Sequence, residues 1–535
     1  MIGRIIGRAG TGKTTALKQK AEQMGYGAFY VTYNRAMADH ARKVIHPVVK
    51  VGTVHSFAFQ LIARNEGLKE RDFMPVKEIK KWMEDLGIPV TGEVDEDEGW
   101  SGDSLGDRIL QEFDRARHSF TPLRPVKGYH GNIEKLYEDY VVLKHGRYDY
   151  TDGLEQVVKN GYTFTSEIGR SEVRGLYGDE FQDFTPLMIK CFDIWADGAK
   201  EVWMAGDDMQ LIYRMKGVGN DFMERPVDEQ IILTKSYRQQ KNYWVGKMLE
   251  QRVTHTIPVD LEHGEGGEVG FKSRMEMINY ILGNPGETIY ILFRTRWSMG
   301  HWNYDGEYQN GLDDALIENG IPFGTVNSRH NWSPWNDAVQ DTINFLYRYS
   351  KEMDLQLTAV KRIVNGSPVR GPKPVKLLPH IKGKIDDILK EKAVMNEEEM
   401  KVMRYEDFIS LYNTIPSIDD LIGFALYNST QKKRAERAIR AYERGGMKPM
   451  REINVFIDTI HGAKGREADT VFLDTAITKK VWETIHGGDK FEYEDEQRVW
   501  YVGTTRNRKN LYFTNSEALD LNFEPWEMIK YANTH

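Results

Sequence analysis

Three short stretches carry residue types able to do chemistry on a bound phosphate ester. The first is Gly7-Arg8-Ala9-Gly10-Thr11-Gly12-Lys13-Thr14, spaced as G-x-x-x-x-G-K-T. Glycines let backbone N–H groups turn onto phosphate oxygens, and a following helix N-terminus adds partial positive charge. Gly10, Thr11, Gly12, Lys13, Thr14 and Thr15 are the expected cradle, with Lys13 reaching the β- and γ-phosphates and Thr14 placing its hydroxyl on Mg²⁺. The second stretch is Asp179-Glu180-Phe181-Gln182-Asp183. Asp179 is spaced to hold a Mg²⁺ shell and Glu180 to orient or deprotonate an attacking water. The third runs from Gly206 to Arg214. Gln210 is a neutral donor able to sense a γ-phosphate, and Tyr213 and Arg214 lie just beyond it, where a polymer could pass.

These side chains need a scaffold that brings distant segments to one crevice. Ile2 to Ile6, Val173 to Tyr177 and Glu201 to Ala205 have the composition of short buried strands, and Ala16 onward that of a helix. Carboxylates at the C-terminal ends of parallel strands share a crevice with a phosphate loop. The expected class is therefore α/β. A length of 535 residues suggests about three to four domains. With 40% hydrophobic and 28% charged residues, the chain has the balance of a globular protein, neither disordered nor fibrous. No apolar run of about 18 residues predicts a membrane span, and no signal peptide is expected. Cys191 is the single cysteine, which excludes an intramolecular disulfide and a cysteine-ligated cluster. A cytoplasmic setting is expected, or a host cytoplasm if the source is viral. The net charge of −8 does not point to nucleic acid, but a binding groove needs only local positive potential. The loop alone would also allow a P-loop kinase or a nucleotide switch.

The ordered set of motifs resembles superfamily 1 helicases of the UvrD/Rep/PcrA branch. Beside the three stretches above, Thr32-Tyr33-Asn34-Arg35-Ala36 is similar to the family's T-N-K-A segment, and Thr53 to Ala58 matches T-x-H-S-F. Ser236-Tyr237-Arg238 resembles N-Y-R, Thr459 to Glu467 resembles T-x-H-x-A-K-G-x-E, and Tyr501 to Arg506 resembles Y-V-A-x-T-R. Eight blocks in order span nearly the whole chain and argue against the kinase and switch alternatives. The resemblance implies two RecA-like P-loop NTPase domains, each with an inserted accessory subdomain, and ATP with Mg²⁺ in the cleft between them. It implies catalytic roles for Lys13, Glu180, Gln210, Arg238 and Arg506, the two arginines stabilising transition-state charge. By the same transfer Tyr237 stacks on the base and Glu467 contacts the ribose. Single-stranded DNA and single-strand/duplex junctions are the implied partners, with stacking at Phe57, Tyr213 and His461 and polar contacts from Asn34, His55 and Arg214. For Phe57 a core role competes, because apolar Leu61-Ile62 follow it.

The sequence departs from the family pattern in places. No glutamine precedes Gly7 to read an adenine edge. Stacking discriminates bases poorly, so relaxed preference among ATP, GTP and other NTPs is expected; a preference for ATP of about 100-fold in kcat/KM, roughly 2.7 kcal/mol, would overturn this. Met215 stands where the family often has tryptophan, removing a stacking plane. Met209 replaces an often acidic residue. The chain ends 29 residues after Arg506, so the long tail of some members is expected to be missing.

The expected organisation is 1–61 with 155–235 as the first RecA-like domain, 62–154 as its insertion, 236–345 with 452–535 as the second, and 346–451 as its insertion. Glu93 to Asp107 has the composition of a mobile acidic loop. The second insertion is locally basic: Lys361 to Lys392 holds nine Lys/Arg against three acids, and Gln431 to Arg451 eight against two. A duplex-phosphate contact and a solvated helix face both fit these charges. Gly371 to Pro374 is expected to be a loop. The function expected is an ATP-dependent motor on single-stranded DNA and a 3′ to 5′ helicase acting as a monomer. The alternative is a protein-displacing translocase that unwinds poorly without a partner.

Overall fold

The computed structural model describes residues 1–69, 72–92, 94–95, 99–100, 102, 104–165, 169–295, 301–302, 308–309, 311–326, 334–370, 373–395, 401–427, 432–444, 453–515 and 521–535. The chain divides into two compact units. One comprises Met1–Gly266 and Gly488–Thr505, the other Gly267–Gly487 and Arg506–His535.

The first unit is built on a six-stranded sheet in the order Lys50–Thr53, Ala28–Thr32, Gly175–Gly178, Glu201–Gly206, Ile2–Gly7, Glu229–Leu233. All pairings are parallel, with Ile2 beside Val202 and Phe29 beside Lys50. Strands inside such a sheet are covered on both faces and therefore carry continuous apolar runs. Ile5 and Ile6 are fully buried, as are Met204 and Ala205. The expected strands appear with boundaries shifted by a residue or two, and the first helix starts earlier than Ala16, at Lys13, and runs to Met24. Helices Ile133–Leu143, Leu105–Ser119 and Val76–Asp85 form a separate small core around Ile79, Met83, Ile109, Phe113 and Tyr140. Part of the acidic stretch 93–107 lies outside the described residues.

The second unit has its own six-stranded parallel sheet, ordered Phe323–Thr325, Val455–Thr459, Ile289–Phe293, Ala468–Asp474, Asn507–Thr514, Val269–Phe271. Helices Asp337–Ser350, Leu357–Gly366, Ile418–Ala425 and Lys432–Arg444 pack into the same apolar core as this sheet. Gly371 and Pro372 lie outside the described residues. No helix among the described residues is long and apolar enough to cross a membrane.

Candidate nucleotide and strand-binding site

The phosphate loop leaves the Ile2–Gly7 strand and enters the Lys13–Met24 helix. Gly10 has φ +79° and Gly12 φ +83°, the left-handed region that glycine adopts without penalty. A Cβ on Gly10 would also meet the Arg238 Cβ at 2.4 Å. Gly12 caps the helix and has no side chain to occupy the first-turn amides, which suits a phosphate group. Lys13 is buried, and its Nζ donates to the Arg8 carbonyl at 3.2 Å. Thr11 and Gly10 line the turn, and Thr14 and Thr15 open the helix on its exposed side.

Thr14 Oγ1 donates to Asp179 Oδ2 at 3.0 Å, and the Tyr30 hydroxyl donates to the same oxygen at 2.7 Å. Burial, then the negative charge of Glu180, raises the Asp179 carboxyl to about 6. A cation beside Thr14 and Asp179 would oppose that shift. Two such oxygens fit Mg²⁺, which takes few protein ligands and completes its shell with phosphate oxygens and water. Glu180 has φ +50°, a strained conformation for a residue with a Cβ. Its N–H donates to Asp179 Oδ1 at 3.0 Å and its carbonyl accepts the Asp183 N–H at 2.9 Å, while Gln182 orients its side chain: Gln182 Nε2 donates to Glu180 Oε2 at 2.6 Å and Gln182 Oε1 accepts the Asp207 N–H at 3.0 Å. Asp207 in turn accepts from Gln210 Nε2 at 2.8 Å. One glutamine thus joins the Glu180 strand end to the Gln210 turn.

Tyr237 and Arg238 also lie in the first unit, against the loop. The Tyr237 N–H donates to the Gly10 carbonyl at 2.9 Å, and the Tyr237 ring is 76% exposed. Arg238 Nη1 donates to the Thr505 carbonyl at 3.4 Å. Arg506, Glu467 and His461 belong to the second unit. Arg506 is buried, with Nη1 donating to the Arg466 carbonyl at 3.5 Å, and Glu467 pairs with Arg508 at 3.7 Å.

The expected strand contacts divide by burial. Thr53 and Ser56 form a reciprocal capping box at the start of the Val54–Glu66 helix, which fixes the first turn carrying His55. Phe57, one turn in, is 3% exposed and packs edge-on to Phe164 and Trp195. That is a core role, so its ring offers no face to a base. Tyr213 is half-buried and stacks on Tyr33 at 5.4 Å. Arg214 pairs with Asp495 at 3.0 Å. Asn34 accepts the Met37 N–H at 3.1 Å as the cap of the Arg35–Val44 helix. The Met215 side chain lies outside the described residues.

Sequence reasoning missed Tyr30, Gln182, Asp207 and Gln239 as supports of the site. Gln239 Nε2 donates to the Ala9 carbonyl at 3.1 Å. Gln182 and Asp207 had a signal, since both lie inside the singled-out Asp179–Asp183 and Gly206–Arg214 stretches. The basic second insertion also differs from its charge count. Arg434 pairs with Asp313, Arg437 with Asp314 at 2.9 Å and Glu318 at 3.1 Å, and Arg440 with Asp419 at 2.7 Å. Lys361 and Lys392 are likewise paired with Asp386 and Asp407. Lys432 and Lys433 are exposed. Residues 445–451 lie outside the described residues.

Two family models align with this chain. The UvrD/REP helicase N-terminal domain matches residues 4–226, and the UvrD-like helicase C-terminal domain matches residues 372–518. The chain belongs to the UvrD-like helicase family. Its two parallel sheets are the two RecA-like domains of that family. Among relatives, it is 23% identical to a putative ATP-dependent DNA helicase, YjcD, of Bacillus subtilis, over 95% of this chain and 76% of that protein. It is 23% identical to a probable DNA helicase II homolog of Rickettsia felis, over 97% of this chain and 91% of that protein. F-box DNA helicase 1 of Gallus gallus is 22% identical over 96% of this chain, which spans 47% of that protein.

Proposed function

We propose that this chain is an ATP-driven motor on single-stranded DNA that separates duplexes with 3′ to 5′ polarity. The observation that carries the reading is the Thr14–Asp179 contact at 3.0 Å beside a Glu180 of strained backbone whose carboxylate is bonded by Gln182. The relatives' names extend it to DNA. Mg²⁺-bound ATP supplies the activated γ-phosphate. Lys13 and the loop amides would bind its phosphates, Thr14 and Asp179 would hold the cation, and Glu180 Oε would take a proton from the attacking water. Gln210 senses the γ-phosphate, and Arg238 and Arg506 neutralise developing charge. Tyr237 stacks on the base without reading its edge and Glu467 contacts the ribose, so other NTPs should also serve. His55, Asn34, Tyr213, Arg214 and His461 contact the strand. The domain division at 1–61 with 155–235 and 236–345 with 452–535, with insertions 62–154 and 346–451, belongs to the same proposal, as does action as a monomer; it differs from the compact units, where 236–266 and 488–505 pack with the first.

A second reading, a translocase that displaces proteins and unwinds poorly alone, gains from one observation. Arg434, Arg437 and Arg440 of the Lys432–Arg444 helix are engaged with Asp313, Asp314, Glu318 and Asp419, which leaves less charge for duplex phosphates. Strand displacement with ATP and Mg²⁺ on 3′-tailed, 5′-tailed and blunt duplexes decides. Separation of the 3′-tailed duplex alone is expected. Separation of the 5′-tailed duplex alone would reverse the polarity. No separation, with single-stranded DNA still stimulating hydrolysis, would favour the translocase.

A further inference from the structure

Arg8 follows the first glycine of the phosphate loop, and a phosphate cradle has no need of its side chain. That side chain is nonetheless the centre of a buried cluster. Arg8 Nη1 donates to Asp207 Oδ1 at 3.0 Å and to Asp208 Oδ1 at 2.6 Å. Nη2 donates to Glu250 Oε1 at 2.6 Å, to Thr256 Oγ1 at 3.0 Å and to the Ile257 carbonyl. Burial opposes its charge, but Asp208, Asp207 and Glu250 hold its pKa well above the usual arginine value. We propose that Arg8 is a positioning residue that ties nucleotide occupancy of the loop to the grip of Arg214 on single-stranded DNA. The inference rests on the motor reading above.

The backbone of Arg8 is bonded to the groups expected to hold phosphate. Its carbonyl accepts from Lys13 Nζ at 3.2 Å, from Thr11 Oγ1 at 2.9 Å and from the Thr11 N–H at 3.3 Å. A phosphate oxygen that takes the Lys13 ammonium competes with that carbonyl. The guanidinium end is bonded to the turn that bears Gln210 and leads to Tyr213 and Arg214. From there the chain of contacts is unbroken within the first unit. The Asp208 carbonyl accepts Arg498 Nε at 3.2 Å, Arg498 Nη1 donates to Asp495 Oδ1 at 2.9 Å, and the same Asp495 oxygen pairs with Arg214 Nε at 3.0 Å. The inner members of this chain are close-packed and buried, so a displacement of the loop is passed on rather than absorbed. The Glu250 arm joins the Tyr243–Gln251 helix, which itself packs against the Lys490–Thr504 helix that bears Asp495 and Arg498.

A path of contacts is coupling only if both ligands bias it, and the coupling is then reciprocal. The test measures binding of a fluorescently labelled oligothymidylate by anisotropy, with and without Mg²⁺ and a non-hydrolysable ATP analogue. It compares the full-length wild type with Arg8→Lys and Asp208→Asn. Lysine keeps the buried charge but lacks the planar fork that spans two carboxylates. The nucleotide is expected to change wild-type affinity by about 5-fold to 150-fold. That ratio should fall toward one in Arg8→Lys and Asp208→Asn. Where Arg8→Lys does not fold, Asp208→Asn carries the comparison. An Arg8→Lys or Asp208→Asn protein that folds and keeps the full ratio overturns the inference. So does a wild type whose hydrolysis is stimulated by DNA but whose oligonucleotide affinity ignores nucleotide, and there the motor reading stands. A wild type that neither binds the oligonucleotide nor hydrolyses ATP removes both.

Discussion

Two clusters of charge in this molecule have similar composition and opposite surroundings. Around Arg8, three carboxylates meet one guanidinium at exposures of 9% or less. Along the Lys432–Arg444 helix, Arg437 and Arg440 are 42% and 43% exposed and face Glu318 and Asp419 at 65% and 73%. In the first cluster each oxygen taken from water has been given a protein donor. Removing one partner there strands a buried charge, at about 3–5 kcal/mol. In the second, water and salt already screen the Arg437–Glu318 and Arg440–Asp419 pairs, each contributing about 0–1 kcal/mol, whereas Asp313 beside Arg434 is buried. Charge counts along a sequence therefore say little until it is known where the opposite charges fold.

The comparison can be broken most severely at the chemical end of the buried cluster. Glu180→Gln keeps the shape and the Gln182 contact but removes the proton acceptor, so ATP turnover should fall by about 10²–10⁴-fold while nucleotide and single-strand binding persist. Steady-state hydrolysis beside filter binding checks this, and near-normal turnover would remove Glu180 from catalysis. Next in size, Arg8→Met should lower the urea stability of the first unit by about 3–5 kcal/mol. A loss below about 1 kcal/mol would place the Arg8 cluster with the exposed one.

A smaller effect concerns Asp114, whose carboxyl burial, then the charge of Asp149, raises to about 6. The folded state then holds a proton that the unfolded chain releases near its ordinary value of 3.8. Stability from this group is therefore present at low pH and lost as pH rises through about 6. Asp114→Asn, which still accepts from Thr151, should flatten that part of the urea-midpoint profile; an unchanged slope would count against it. Smallest of all, Arg440→Gln should cost less than about 1 kcal/mol, and the cost should shrink further in high salt. A larger, salt-insensitive loss would mean that this helix is anchored by its charges.

Much of the scaffold was legible because it obeys one rule. Buried parallel strands are mostly apolar, so Ile2–Gly7 and Glu201–Gly206 stand out in the sequence despite Arg4 and Glu201. The edge strand Glu229–Leu233 does not, because one side faces solvent and its burial alternates with exposure. The phosphate loop and the Asp179-Glu180 pair are local patterns and could be read directly. Their supports could not: Tyr30 and Asp179 are 149 residues apart, and Arg8 and Glu250 242. Phe57 was ambiguous because its neighbours Phe29, Phe164 and Trp195 come from three other segments. The arginines of the Lys432–Arg444 helix looked like a phosphate-binding run because Asp313 and Asp314 lie more than 100 residues upstream.

The division of the chain at Gly488 and Thr505 has a consequence for synthesis. The Lys490–Thr504 helix belongs to the first unit, where Glu494 accepts from Thr254 and His255 and Arg498 donates to the Asp208 and His255 carbonyls. A ribosome delivers that helix only after almost all of the second unit has emerged. Domains made in one piece can finish folding as they leave the ribosome. Here residues 1–266 must wait, with the 254–257 turn and Asp208 lacking their late partners, until residues 488–505 arrive. A fragment ending at Gly266 would remain in that waiting state permanently.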